Sequence, residues 1–188
     1  MRRRDRIIEA AIELFGEVGY RAAGLRDIAA RAGITHPGLL YHFGSKEELL
    51  AAVLQHRDEQ QESMISAVHM TPEAVLAALY ALAEQNTAEV KLVEMFATLS
   101  AEATDPNHPA HEYFTCRYAD VRRRFTALAQ VLVDAGWTRP GLTAEIAATN
   151  IIALMDGLQI QWLYDPEAID MVAQLDCFVR SVVLVSPT

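Results

Sequence analysis

The chain has 188 residues, 52% of them hydrophobic, and no apolar run approaches the ~18–20 residues that span a bilayer, so a core-forming protein without a transmembrane helix is expected. Its formal net charge of −9 is unevenly spread: residues 1–50 hold eight basic and seven acidic side chains, a balance of +1, and residues 51–188 hold eight and eighteen, a balance of −10. The acidity therefore argues against a broadly basic nucleic-acid coat but leaves DNA binding open to the first fifty residues.

The start, MRRRDRIIEA, is basic but lacks the apolar segment of a secretory leader, which predicts a cytoplasmic protein. Ile8, Ala11, Ile12, Phe15 and Val18 then recur at helical spacing from about Arg3 to Val18, and Gly19 is suited to stop that helix. A short helix follows from about Leu25 to Ala32, broken by Gly33. Thr35 can cap a second short helix to Phe43, with Pro37 tolerated in its first turn because the early N–H groups have no intrahelical acceptor. After Gly44, Ser45 and Glu48 form an S-x-x-E capping box that opens a long helix to about Val68.

The sequence His69-Met-Thr-Pro72 marks the next boundary, with Thr71 as cap. Further helices are expected at 72–86, 90–104, 110–135, 143–164 and 167–185, separated by Asp105-Pro106, His108-Pro109, Gly136, Arg139-Pro-Gly141 and Asp165-Pro166. The prediction is an all-α protein of about nine helices, with no strand, repeat or low-complexity segment. Cys116 and Cys177 lie far apart in unrelated contexts, so neither a disulfide framework nor a metal pair is indicated, and no cofactor or metal is expected.

Ala29, Gly33 and Leu39 have the spacing of two short helices crossing at a tight turn, a helix-turn-helix that aims its second helix at the major groove; an ordinary helical hairpin has the same spacing. The wider string is more specific: Ile7-Ile-Glu-Ala-Ala-Ile-Glu-Leu-Phe15, Gly19-Tyr20, LRDIAARAGIT from Leu25 to Thr35, and LLYHFGSKEELL from Leu39 to Leu50. Over about residues 4–55 it resembles the DNA-binding domain of the TetR (tetracycline-repressor) family of bacterial transcriptional regulators. The resemblance implies a homodimer in which residues 1–47 form a three-helix DNA-binding domain and residues 48–188 a helical ligand-binding and dimerisation domain. It also implies repression of transcription and release from a double-stranded operator when a small ligand binds.

Lys46 falls at the first turn of a helix, where the positive end of the dipole disfavours a cation by roughly 0.3–1 kcal/mol. By the resemblance it is a phosphate clamp, since free N–H groups, dipole and ammonium together suit a phosphate; a solvated surface lysine is the alternative. Tyr41 and His42 match positions used against the DNA backbone and bases, with packing beneath the helix as their alternative, and Phe43 matches a core residue. Arg4, Arg26, Thr35, His36, Pro37 and Gly38 complete the expected DNA-facing set, while Arg2, Arg3 and Arg4 form either a mobile arm on DNA or a solubilising tail.

Two departures from the family pattern stand out. Ala23-Gly24 replaces a Thr or Ser at the start of the second helix, and Thr35-His-Pro-Gly38 replaces a Lys-Gly-Thr-like run. Gly38 has no side chain to read a base. Specificity is then expected from Thr35, His36, Tyr41 and contacts of Pro37 with thymine methyls.

Farther on, the helices at 143–164 and 167–185 are apolar over more than one face, which suits burial on several sides. Ile151, Leu154, Leu158, Val172, Leu175, Val179 and Val182 are the expected dimer contacts of an intermolecular four-helix bundle, with a monomer core as the alternative. Met95, Phe96, Leu99, His111, Phe114, Tyr118, Met155, Gln159 and Trp162 are the expected lining of a cavity for a medium-sized, largely apolar ligand with a polar end, or else plain core. Asn150, Asp156 and Gln159 are polar on an otherwise apolar helix and need partners. An enzyme is not expected: His108, His111, Glu112 and Asp120 are scattered without a nucleophile elbow, phosphate loop or zinc spacing. A helical carrier that no longer binds an operator is the other class.

Overall fold

Each apolar stripe folds as a helix. The computed structural model describes residues 2–65 and 70–184, with backbone alone for 59–65. The order is α1 (Arg3–Ala22), α2 (Leu25–Arg31), α3 (His36–His42), α4 (Lys46–Ile65), α5 (Pro72–Ala88), α6 (Val90–Glu102), α7 (His111–Asp134), α8 (Ala144–Tyr164) and α9 (Met171–Val182). Among the described residues there is no strand; Thr138 and Val183 form an isolated antiparallel bridge, flanked by Arg139 N–H to the Val182 carbonyl at 3.0 Å and Leu184 N–H to Trp137 at 2.8 Å. The expected helix ends at Val68 and Val185 lie outside the described residues.

Local chemistry explains most boundaries. The Thr35, Thr71 and Thr143 hydroxyls each accept an N–H from their helix's first turn, and Ser45 Oγ accepts that of Glu48 at 3.1 Å. After α2, Gly33 adopts φ 67° with Ile34 N–H bonded to the Ala29 carbonyl and Gly33 N–H to that of Ala30, a Schellman ending; Gly136 closes α7 in the same way. One start was misjudged. The last helix begins at Met171, not 167, because Asp165 takes the N–H groups of Glu167 and Ala168 into a turn and Asp170 caps the helix by accepting from Ala173 at 2.9 Å.

The helices form two compact units. The first comprises Met1–Glu62 and Val90–Phe114, so α6 joins α1 to α4 across a long stretch of chain. Its centre is fully buried: Ile7, Phe15, Ile28, Leu39, Leu49, Val53, Met95 and Leu99 have no accessible surface. Val18, expected on the buried stripe, is 48% exposed, since the buried line of α1 runs through Phe15 and Gly19 and leaves Val18 on its flank. Helices α1 and α6 approach backbone to backbone at Gly16, where a Cβ would stand 3.1 Å from the Met95 nitrogen, and Thr98 donates to the Gly16 carbonyl at 3.3 Å. The second unit, Ser63–Glu89 and Thr115–Thr188, packs Leu76, Phe125, Leu132, Ile151, Met155, Leu175 and Val179 between α5, α7, α8 and α9. A smaller cluster of Leu158, Trp162 and Met171 joins α8 to the start of α9.

Gly19 interrupts α1 at φ 77°, ψ 169°, a conformation essentially reserved for glycine. Gly19→Ala is expected to lower unfolding stability by about 1–3 kcal/mol in urea titrations at unchanged m-value.

Candidate nucleic-acid interface

The candidate surface is built on α3, with α1 and α2 holding it. Arg31 ties α2 to α1 by a bidentate bond to Glu17, at 2.7 and 2.8 Å, and this hydrogen bond first of all lowers the Glu17 pKa. Beneath α3, Ala29, Leu39 and Phe43 are buried, as the helix-turn-helix spacing requires. That leaves Thr35, Pro37, Leu40 and Tyr41 facing out, with His36, Gly38 and His42 half-buried. Tyr41 is 87% exposed, which argues against packing beneath the helix, and its ring meets that of His42 edge-on at 5.5 Å. The start of α2 lacks a side-chain cap, as Ala23-Gly24 predicted.

The basic residues divide by engagement. Arg31 is held by Glu17 and Glu13, and Arg21 pairs with Asp105. Arg2, Arg3, Arg4, Arg6 and Arg26 make no ion pair among the described residues, although Arg4 lies over the Phe43 ring at 5.1 Å. Arg3 and Arg6, one helical turn apart, border an open hollow of about 420 Å³ with Thr35, Gly38, Tyr41 and His42. Arg6 was absent from the expected set; its three-residue spacing from Arg3 on a helix was the available signal.

Lys46 is tucked in. Its ammonium donates to the Arg21 carbonyl at 3.3 Å and stands 4.4 Å from the centre of the Tyr20 ring, and burial lowers its pKa. The carbonyl belongs to the last turn of α1, beyond the Gly19 break, so the N-terminal cation is partly offset by a local main-chain dipole. The Tyr20 hydroxyl donates to Glu47 at 3.1 Å. Hydrogen bonds from the Glu47 amide, Tyr20 and Ser45 hold the Glu47 carboxyl below its usual range, and burial, then Glu47, raises the tyrosine pKa.

The expected cavity lining falls in two groups. Met95, Phe96, Leu99 and Phe114 are buried in the first unit, where the Phe96 and Phe114 rings lie 5.0 Å apart, and His111 Nδ1 meets the Ala103 carbonyl at 2.8 Å. Tyr118, Met155, Gln159 and Trp162 belong to the second unit, where the Tyr118 hydroxyl donates to Asp156 at 3.0 Å; Asn150 is exposed and Gln159 buried. An apolar hollow of about 50 Å³ in the second unit is lined instead by Leu76, Phe125, Leu128, Leu132 and Phe178, with Ile151, Val179 and Val182 beside them.

The expected dimer contacts differ in burial. Ile151, Leu158, Leu175 and Val179 are buried in their own protomer's core, and Leu154, Val172 and Val182 are half-buried. An all-round apolar helix does not declare which arc faces inward. The outward arc of α8 carries Ile146, Asn150, Ala153, Ile160 and Tyr164.

The family model described as "Bacterial regulatory proteins, tetR family" matches residues 7–53, and "BetI-type transcriptional repressor, C-terminal" matches residues 72–184. The transcriptional regulator TtgR of Pseudomonas putida is 28% identical over 94% of this chain and 87% of its own. Identity is denser at the start: the transcriptional activator FasR of Mycolicibacterium smegmatis is 46% identical over 70 residues, 37% of this chain and 32% of FasR. In three dimensions the chain is similar to SmeT of Stenotrophomonas maltophilia solved as a triclosan complex, at a TM-score of 0.76 and 24% identity, covering 99% of this chain and 96% of that one. No described helix is long and apolar enough to cross a membrane.

His108, met in the sequence only as a scattered imidazole, is buried, with Nδ1 accepting the Ala110 N–H at 3.1 Å and Nε2 3.6 Å from Glu102. Burial lowers its pKa, so the unfolded chain takes up a proton that the folded chain resists. Folding stability is therefore expected to be whole at neutral pH and to fall as the pH drops below about 6.5, the ordinary imidazole value, with a shallower fall in His108→Gln, as read by urea unfolding from pH 7.5 to 5.

Proposed function

The chain belongs to the TetR family of bacterial regulatory proteins, and on that premise we propose a homodimeric repressor released from a palindromic operator by a small, largely apolar ligand. Residues 1–47 read DNA and residues 48–188 bind the ligand and pair with a second copy. The observation that carries the reading is the outward face of α3, where Thr35, Pro37 and Tyr41 stand exposed beside arginines that make no ion pair among the described residues.

In the proposed complex α3 enters the major groove. Thr35, His36, Tyr41 and the ring methylenes of Pro37 meet base edges, and Gly38 lets the backbone come close. Arg3, Arg4, Arg6, Arg26, His42 and Lys46 meet phosphates, which set register and most of the affinity. Lys46 keeps two N–H donors for a phosphate while the third stays on Arg21. The second copy seats against the outward arc of α8, where Ala153 and Gly157 permit close helix approach and Ile146 and Ile160 supply apolar area. Pairing matters because two recognition helices must stand about 34–36 Å apart to enter successive grooves.

The effector acts on the second unit around Tyr118, Met155, Gln159 and Trp162. Support comes from the buried apolar Met155 and Trp162 beside the polar Gln159 and Tyr118, and from SmeT, solved with triclosan. An effector releases DNA only through unequal affinity for the two dimer geometries.

Selection from random duplex DNA by the purified protein is expected to return a palindrome. Lys46→Ala and Arg6→Ala should each weaken its binding and reduce the slope of log affinity against log salt by about one. If no duplex is preferred, even in dilute buffer without effector, the reading fails. Sedimentation of Ala153→Arg tests the pairing: monomers and at least about ten-fold weaker palindrome binding are expected, and an undisturbed dimer refutes the α8 face.

A further inference from the structure

Tyr20 and Arg21 are gripped from two sides. From the α6–α7 side, Glu102 Oε2 accepts the Tyr20 N–H at 2.8 Å, the His108 and Tyr20 rings meet edge-on at 5.1 Å, and Asp105 pairs with Arg21. From the α4 side, Lys46 bonds the Arg21 carbonyl and covers the Tyr20 ring, while Glu47 accepts the tyrosine hydroxyl. All of these residues belong to the first compact unit.

Glu102 is the part of this arrangement most dependent on shape. Its Oε1 stands 2.3 Å from where a Cβ on residue 19 would be, so the carboxylate reaches the Tyr20 amide only because that residue is glycine. A carboxylate on a main-chain N–H is a charge-assisted bond, roughly twice as strong as a neutral one. It fixes the short stretch that carries the Arg21 carbonyl, and that carbonyl is what Lys46 holds.

We propose that Glu102 is a positioning residue for operator binding: through Tyr20 and Arg21 it sets where the Lys46 ammonium stands. The inference rests on the operator reading above and on Lys46 as a phosphate contact. A lysine on its long stem otherwise loses rotamer freedom when DNA orders it, which weakens binding. Anchoring on residues 20 and 21 removes that freedom before the duplex arrives. Glu102 itself touches no DNA, and its effect passes wholly through Lys46.

A double-mutant cycle on the selected duplex tests this, with thermal unfolding of each variant alongside. Glu102→Ala is expected to weaken binding about ten-fold and Glu102→Gln, which keeps a neutral acceptor in place, about three-fold. In the Lys46→Ala background both should add nothing. Independent, multiplicative losses, or no loss from either Glu102 change, overturn the proposal. Should Glu102→Ala not fold, the cycle with Glu102→Gln decides by the same criterion. Wild-type protein that prefers no duplex overturns the operator reading and this inference together; a wild type that binds while the cycle is additive overturns this inference alone.

Discussion

The crossing of α1 and α6 is the constraint on which the first unit, with the candidate surface of α3, depends. At Gly16 the two backbones come as close as a missing side chain allows, and at Gly19 a second absent Cβ admits the Glu102 carboxylate. With α1 held there, its buried residues have a fixed surface against which α2 and α4 complete the first core. The surface of α3 is then decided by which of its residues that core consumes: Leu39 and Phe43 go in, and Tyr41 is left out.

Charge follows the same logic. The chain is acidic overall, yet its first fifty residues are nearly balanced, and their acids are not spread at random. Glu13 and Glu17 of α1 take Arg31 of α2, and Asp105, from beyond the first fifty residues, takes Arg21, so these surface pairs tie neighbouring segments of the first unit together. Within the first fifty residues, the arginines that make no ion pair among the described residues lie toward the start of α1, with Arg26 on α2. Such surface pairs contribute little individually to stability, but they decide which cations remain for a partner.

Helix by helix, the fold was legible because its punctuation is local. Thr35, Ser45, Thr71 and Thr143 cap the helices they precede, and Gly33 turns the chain where it should. The start of α9 was misread because Asp165 and Asp170 both have capping chemistry and only tertiary packing selects between them. Of the candidate site, the exposure of Thr35, Pro37 and Tyr41 was readable from period and resemblance. The anchoring of Lys46 was not, because it depends on a carbonyl 25 residues away in sequence. Nor was the inward arc of α8: Ile151 and Leu158 lie on a helix apolar nearly all round, and hydrophobic period cannot say which neighbour each arc will meet.

The first unit is discontinuous, since α6 comes from Val90–Glu102 while its partners come from the opening sixty residues. During synthesis the first unit is therefore still incomplete when its opening helices emerge. Until the ribosome has released α6, the Phe15 and Gly16 side of α1 has no α6 to lie against, and at about 5–20 residues per second that interval lasts seconds, far longer than helix formation. Nascent chains of this protein pass through a stage at which a sequence-reading module is translated but unfinished, and a chain cut short before α6 would leave that apolar flank to chaperones or proteases.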